Sequence, residues 1–418
     1  MWGDGDCGQL GLGEETTERL RPWPLQLGGG ADDVLQVACG GMHTVALTAD
    51  GAVWTWGVND EGALGRKTSG ESAKKLWAAA GHGAAPDSDP YVPGVASLPA
   101  GAGRVVMVTA GDSHTCALDE RGTVWSWGTF RDSSGVMGFA PGTRTQVAPA
   151  PVFGPGSPAC PGERCVKVAS GDDHVVALCE SGRVYSWGNG QQGQLARVGE
   201  RLAEARRLPT YLTPTRVHVA SRAGRVTDVA CGSYSTFLVL GGGAAVLAAG
   251  LNNYGQLGLE APEGCQYALA RVRELEGCAE VAPGQHHTLG VRDGALVAVG
   301  RTTYGRLGRA DVDAGADGRA WAAGEVAALA ECAPVGGAAA GLAVSGCFGG
   351  PEGRLWLWGM GGALMANGDE DEDLPAPARV KETKKFNGWR CVMLGFGGQH
   401  AAFLGVRREG YRVPEGAE

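Results

Sequence analysis

One pattern returns along the whole sequence and fixes what it can fold into. A short apolar run leads to Gly-x-x-His. A second run leads to a tight turn, and a third ends in Trp-Gly with another Gly five residues on. The pattern is written VLQVACGGMHTVALTADGAVWTWGVNDEGALG from Val34, VVMVTAGDSHTCALDERGTVWSWGTFRDSSGVMG from Val105 and VKVASGDDHVVALCESGRVYSWGNGQQGQLA from Val166. Looser copies begin at Val226, Ala279 and Ala333. Cys391 opens only half a copy, CVMLGFGGQHAAFLGV, and the other half, MWGDGDCGQLGLG, stands at the N-terminus. The total is seven units, the seventh shared between the two chain ends.

Each unit is rich in short β-type runs around a hairpin dipeptide such as Asp50-Gly51, Arg121-Gly122, Ser181-Gly182 or Asp293-Gly294. Short antiparallel sheets repeated radially make a β-propeller. A solenoid would carry two distinct caps instead of one divided unit. The expected fold is all-β: a seven-bladed β-propeller, closed by N- and C-terminal strands in one blade, and a single domain over residues 1–418. Arg66–Gly103 is expected to lengthen the first interblade connection. Val198–Arg225 is expected to form an Arg-bearing loop.

Composition narrows the function classes. Gly makes up 72 of 418 residues, with no Gly-X-Y period, so the chain reads as turn-rich and not collagenous. A net charge of −9 argues against bulk attraction to nucleic acid or an anionic membrane, while leaving room for a local basic patch. The twelve Cys are scattered, with no C-x-x-C pair or zinc spacing. Cys39, Cys116, Cys179 and Cys231 sit in strand-like apolar runs and read as free thiols in a reducing compartment. No apolar run reaches the ~20 residues of a membrane helix. Trp2-Gly3 follows Met1 directly, so no signal peptide is expected. No phosphate loop, H-E-x-x-H or G-x-S-x-G is present, so neither covalent chemistry, metal nor cofactor is expected.

Comparing copies separates scaffold from specialisation. The repeated His43, His114, His174, His287 and His400 are expected to bond backbone near the ring interior. The two residues before each His vary, and they are expected to begin equivalent strands around the central channel. Asp112, Asp173 and His286 fall there. One copy is also longer: Gly128 and Gly135 lie seven apart in WGTFRDSSGVMG, where Gly3 and Gly8, Gly57 and Gly62, and Gly188 and Gly193 lie five apart.

Gly-x-x-His, a hairpin and Trp-Gly-x4-Gly-Gln-Leu-Gly resemble the repeat of the regulator of chromosome condensation family over nearly the whole chain. The runs GDSHTCAL…WGTFRDSSGVMG, VKVASGDDH, GQHHT and NDEGALGR are similar to its branch that exchanges guanine nucleotide on the small GTPase Ran. The resemblance implies a nuclear, chromatin-associated, monomeric exchange factor without covalent chemistry. It would dock Ran on one face and nucleosome, histones and DNA on the other, with no membrane contact. It implies a β-wedge at Phe130, Arg131, Asp132, Ser133, Ser134, Gly135, Val136 and Met137. It marks Asp112, Asp173 and His286 as the residues on which exchange depends most, with Asp6, Arg197 and Gln399 as weaker matches. Arg201, Arg206 and Arg207 match a basic chromatin-binding loop. The family's basic N-terminal tail has no counterpart in this sequence. Two other classes stay open: a propeller adaptor without exchange activity, and a light sensor. The sensors carry Gly-Trp-Arg-His-Thr, where this chain has GGMHT, GDSHT and GQHHT.

Overall fold

The computed structural model describes residues 1–28, 33–82, 87–204, 208–260, 264–313, 318–366 and 372–408. Seven four-stranded antiparallel sheets are arranged in a ring. Blade 1 runs from Val34–Cys39 through His43–Thr48 and Val53–Gly57 to Gly94–Val95. Blade 2 runs through Val105–Ala110, His114–Asp119, Val124–Gly128 and Gln146–Phe153. Blades 3 to 6 begin at Cys165, Val226, Cys278 and Val335. In blade 7, Trp389–Phe396 and His400–Arg407 are completed by the N-terminal Trp2–Asp4 and Glu18–Arg19. Trp2 pairs with Ala401 and Gly3 with His400, so the chain ends close the ring as the divided repeat requires.

The repeat residues explain the seams between blades. The Gly of Gly-x-x-His has no room for a side chain. A Cβ on Gly40 would lie 2.5 Å from the Gly111 carbonyl oxygen, one on Gly111 2.5 Å from that of Gly171, and one on Gly397 2.4 Å from that of Gly40. The glycines thus form an inner collar in which each blade abuts the next.

The His side chains form a second collar. Nε2 lies 2.9 Å from the Thr115 hydroxyl for His43, 2.9 Å from Thr236 for His174 and 2.8 Å from Thr44 for His400. His114 meets Ser170 at 3.1 Å and His287 meets Ser345 at 2.7 Å. The expected backbone partner of this nitrogen is therefore a hydroxyl of the next blade. Thr44 in turn donates to the Gln9 carbonyl, which also accepts from Trp56 Nε1. Thr115 and Trp127 share the Ala63 carbonyl in the same way. One chain of hydrogen bonds so locks His, hydroxyl, the Gly-x-Leu-Gly turn and Trp across a seam.

The first strand of every blade carries an irregularity near its start, as between Val34 and Gln36, Val105 and Met107, and Cys391 and Met393. A bulge there adds the local twist that a blade needs.

Two connections differ from expectation. Residues 66–103 hold the helix Glu71–Ala79 and then the fourth strand Gly94–Val95, so most of this segment joins two strands within blade 1. Trp77 of the helix packs on Val147 of blade 2. Residues 198–225 likewise include the fourth strand of blade 3, Thr215–Val217.

Antiparallel order then sorts the loops. Gly-x-x-His turns and third-to-fourth connections share one face, and second-to-third turns and interblade connections share the other. Among the described residues no helix is long and apolar enough to cross a membrane.

Candidate functional site

The Gly-x-x-His turns converge on the mouth of the central channel, a cavity of about 790 Å³. The two variable residues stand in the bend before the second strand, one step earlier than expected. Backbone bonds tie these bends into a ring: Gly41 N–H donates to Gly111 O, Asp112 N–H to Asp172 O, and Gln285 N–H to Gly341 O. Asp112, Asp172, Asp173, Tyr234, Gln285 and Gln399 line the mouth. A Cβ on Gly41 would lie 2.1 Å from Asp112 Oδ1, so the carboxylate occupies space that only glycine leaves free.

The longer copy in blade 2 folds as a two-stranded hairpin, Phe130–Asp132 with Gly135–Gly138. Two extra residues are enough to replace the tight turns of the other copies. Its base is anchored by fully buried Phe130, whose ring stacks on Phe139 and lies 4.7 Å from the His114 ring. Met137 is buried in the same cluster, beside Tyr211 and Leu212 of blade 3. Phe130 and Met137 are thus foundations of the expected wedge, because packing leaves them no outer surface. Ser133 and Ser134 are exposed at the tip, and Gly135 and Val136 are half-buried. Asp132 Oδ1 accepts from Ser134 N–H at 2.8 Å, which stiffens the tip.

The hairpin is clamped from both neighbouring blades. Arg131 N–H donates to Asp173 Oδ1 at 2.6 Å, and its carbonyl accepts from Asn189 Nδ2 at 3.0 Å. On the other side its guanidinium pairs with Glu61 of blade 1 at 2.8 Å. Burial pushes the Asp173 carboxyl up to about 8. The Arg131 N–H opposes this rise, and the charges of Asp112 and Asp172 add to it. Asp172 is pushed up to about 6, chiefly by burial, with Asp112 adding to the rise and Ser233 opposing it. The mouth therefore holds more carboxylate than it can comfortably ionise, a favourable setting for a partner's cation.

The remaining expected residues scatter. His286 shares the bend of Gln285, and its ring stands edge-on to Tyr254 at 5.2 Å, while Arg301 covers Tyr254 at 4.4 Å. Gln399 reaches the mouth. Asp6 is exposed on the matching connection of blade 7.

Arg197, expected on the docking surface, turns inward instead. Its Nε meets Ser186, and Nη2 donates to the carbonyls of Thr210, Tyr211 and Thr213. Arg66 does the same in blade 1, donating to the carbonyls of Thr55, Asp89 and Val92. An Arg after this turn is a strut for the fourth strand. Ala196 before it adopts φ 56°, the backbone that glycine takes in the sister copies.

Arg201 is exposed on the short helix Glu200–Glu204, and Arg206 and Arg207 lie outside the described residues. This connection leaves the wedge face, and Leu212 packs within 3.3 Å of a Cβ placed on Gly138. The two expected docking segments are neighbours, because both join a third strand to a fourth. Sequence reasoning missed Glu61, Asp172 and Asn189. Asp172 could have been found as the second of two adjacent acids in GDDH. Nothing in the repeat singles out Glu61 or Asn189.

A family model for the RCC1-like domain matches residues 1–403. The chain belongs to the RCC1-like family. The regulator of chromosome condensation of Xenopus laevis is 36% identical over 417 residues, 97% of this chain and 89% of that protein. The guanine nucleotide exchange factor SRM1 of Saccharomyces cerevisiae is 31% identical over 441 residues, 97% of this chain and 86% of that protein. The crystal structure of Prp20p from Saccharomyces cerevisiae, reported with its binding properties to Gsp1p and histones, superposes with a TM-score of 0.80. It is 29% identical and covers 98% of this chain and 91% of its own. The RCC1-like ring thus extends through all seven blades, including the divided one.

Proposed function

We propose that this chain is a guanine nucleotide exchange factor for the small GTPase Ran. The carrying observation is the rigid hairpin Phe130–Gly138, held over an acidic channel mouth by Asp173, Asn189 and Glu61. The full-length likeness to exchange factors of this family supports the reading.

A GTPase holds its nucleotide through phosphates, the phosphate-loop Lys and Mg²⁺. A protein that binds the nucleotide-free form tightly must weaken nucleotide binding by the same factor. The stiff tip at Asp132–Gly135 is suited to displace the phosphate loop. Asp112, Asp172 and Asp173 are suited to receive the cationic and amide groups that lose their phosphate partner. No bond is made or broken, and no cofactor enters.

The chain is further proposed to act as a monomer in the nucleus on chromatin, with Arg201 and the adjoining Arg206 and Arg207 contacting histones. The histone binding reported for Prp20p supports this.

The test is release of a fluorescent GDP analogue from loaded Ran. Acceleration by the wild type, lost on removing Ser133 and Ser134, supports exchange through the wedge. Binding of Ran without acceleration would make the chain an adaptor.

A further inference from the structure

Two thiols meet where blade 6 begins. Cys332 ends the 3-10 helix Ala327–Cys332, in the connection that enters blade 6 from blade 5. Cys347 lies in the second strand of blade 6, Val344–Gly349. Their sulfurs are 3.7 Å apart, the one thiol–thiol hydrogen bond among the described residues. Both side chains are fully buried, in an apolar cluster with Leu289 and Ala298 of blade 5 and Trp356 and Trp358 of blade 6. Gly349 makes the approach possible. A Cβ there would lie 2.9 Å from the Cys332 sulfur and press on its carbonyl oxygen.

The two sulfurs differ. The S–H of Cys347, donated to Cys332, holds the Cys332 thiol below the ordinary thiol range, against the effect of burial. Burial, the same bond and the charges of Cys332 and Cys391 push Cys347 well up. One thiol is the readier thiolate and a second stands beside it, as an attacking and a resolving cysteine do. A disulfide needs its sulfurs ~2.05 Å apart, so these must close by roughly 1.7 Å. The segment that carries Cys332 can supply the shift. Ala330, Glu331, Ala333 and Pro334 are exposed around it. Its turns are closed by long backbone bonds, 3.2 Å from Leu329 N–H to Val326 O and 3.4 Å from Ala333 N–H to Ala330 O. The same looseness admits a small oxidant from the surface.

We propose that Cys332 and Cys347 are an oxidisable dithiol that closes as a disulfide on reaction with a hydroperoxide. The Cys332 thiolate attacks the peroxide and breaks its O–O bond, leaving a sulfenic acid, and the departing hydroxide takes up the Cys332 proton as water. The Cys347 sulfur then attacks the sulfenic sulfur and forms the S–S bond. The hydroxide released takes the Cys347 proton. Two thiols and one hydrogen peroxide thus give one disulfide and two waters, and two electrons pass from sulfur to oxygen. The new bond ties the entering connection to blade 6. In this blade Val344 stands where five of its sisters place the collar histidine, so the staple reinforces a sheet that the collar leaves without one. The dithiol lies on the face opposite the hairpin and is independent of the exchange reading.

The test uses the full chain, first reduced and then treated with hydrogen peroxide. After alkylation of the remaining thiols, peptide mapping without reductant should find residues 332 and 347 linked, and reductant should reverse the link. Cys165 and Cys179 face each other across two strands of blade 3, but the Cys165 thiol donates to the Lys167 carbonyl instead, so this pair should stay unlinked. Cys347→Ser should leave a sulfenic acid on Cys332 that dimedone traps. The urea midpoint of the wild type should rise on oxidation, and that of Cys347→Ser should not. Absence of the 332–347 link in the folded wild type, or a link that forms only in urea, overturns the proposal. An unchanged or lower midpoint in the linked protein overturns the staple.

Discussion

Asp173 Oδ1 accepts the backbone N–H of Arg131 at 2.6 Å, joining the channel mouth of blade 3 to the spine of the hairpin in blade 2. A partner that draws on the Asp173 charge therefore also touches the bond that sets the hairpin's pose. The same carboxyl is held neutral-leaning by burial and by its acidic neighbours.

Asp173→Ala and Asp173→Asn should then differ. Asn keeps an acceptor for Arg131 but removes the charge, whereas Ala removes both. We expect exchange to fall in both variants, and further in Ala. Stability should move the other way for Asn. The folded carboxyl titrates at about 8, above its unfolded value, so it opposes folding increasingly as pH rises from about 4 to 8. Asp173→Asn should be more stable than wild type at pH 8, by on the order of 1 kcal/mol or more, with the gap closing at pH 4. Urea unfolding at the two pH values reads it directly. A variant no more stable at pH 8 would show that the mouth carries no such strain.

Removing Ser133 and Ser134 should return blade 2 to the turn length of its sisters. Both residues are exposed, and the hairpin base remains anchored by Phe130 and Met137. The melting temperature should hardly change, while nucleotide release from Ran loses most of its acceleration. Loss of folding instead would mean that the tip is structural.

Arg197→Ala should behave in the opposite manner. Three carbonyls lose their donor, and the connection 208–213 loses its strut. A cost of about 2 kcal/mol is expected from carbonyls left unsatisfied. The exchange rate per folded molecule should stay close to wild type. A selective loss of exchange with unchanged stability would restore Arg197 to the docking surface.

The ring and its closure could be read directly, because Gly40, Gly111, His43 and Trp56 repeat for reasons that act in every blade. The hairpin could be located from one spacing, Gly128 to Gly135, but its clamp could not. Glu61 and Asn189 meet Arg131 only because blades 1 and 3 flank blade 2 in space, and no local pattern encodes that meeting. Arg197 turns inward for a reason no local pattern shows. Position relative to Gly-x-Leu-Gly indicates a loop but not which way a guanidinium turns. Its counterpart Arg66 shows that carbonyls of the third strand and of the connection to the fourth draw it inward. The two expected docking segments lie on one face because strand order puts both on third-to-fourth connections.

The His collar makes a prediction about acid. Burial lowers His43 to about 4 and His114, His174, His287 and His400 to about 3, and each sits against a hydroxyl of the next blade or its equivalent seam. An unfolded His titrates near 6.5, so between that value and the folded ones the unfolded chain binds more protons. Stability is complete above pH 6.5 and falls as pH drops, by up to about 1.4 kcal/mol per pH unit for each His. Asp172 and Asp173 act with the opposite sign, since their folded values are raised and their cost grows as pH rises. The stability maximum should therefore lie near pH 6.5, with cooperative unfolding in mild acid. His287→Gln should lower overall stability by loosening its seam with Ser345, and should also make the acid slope shallower by one residue's share. Urea midpoints measured from pH 4.5 to 8 test both effects. A flat profile from pH 5 to 6.5 would mean that the ring histidines are not held neutral.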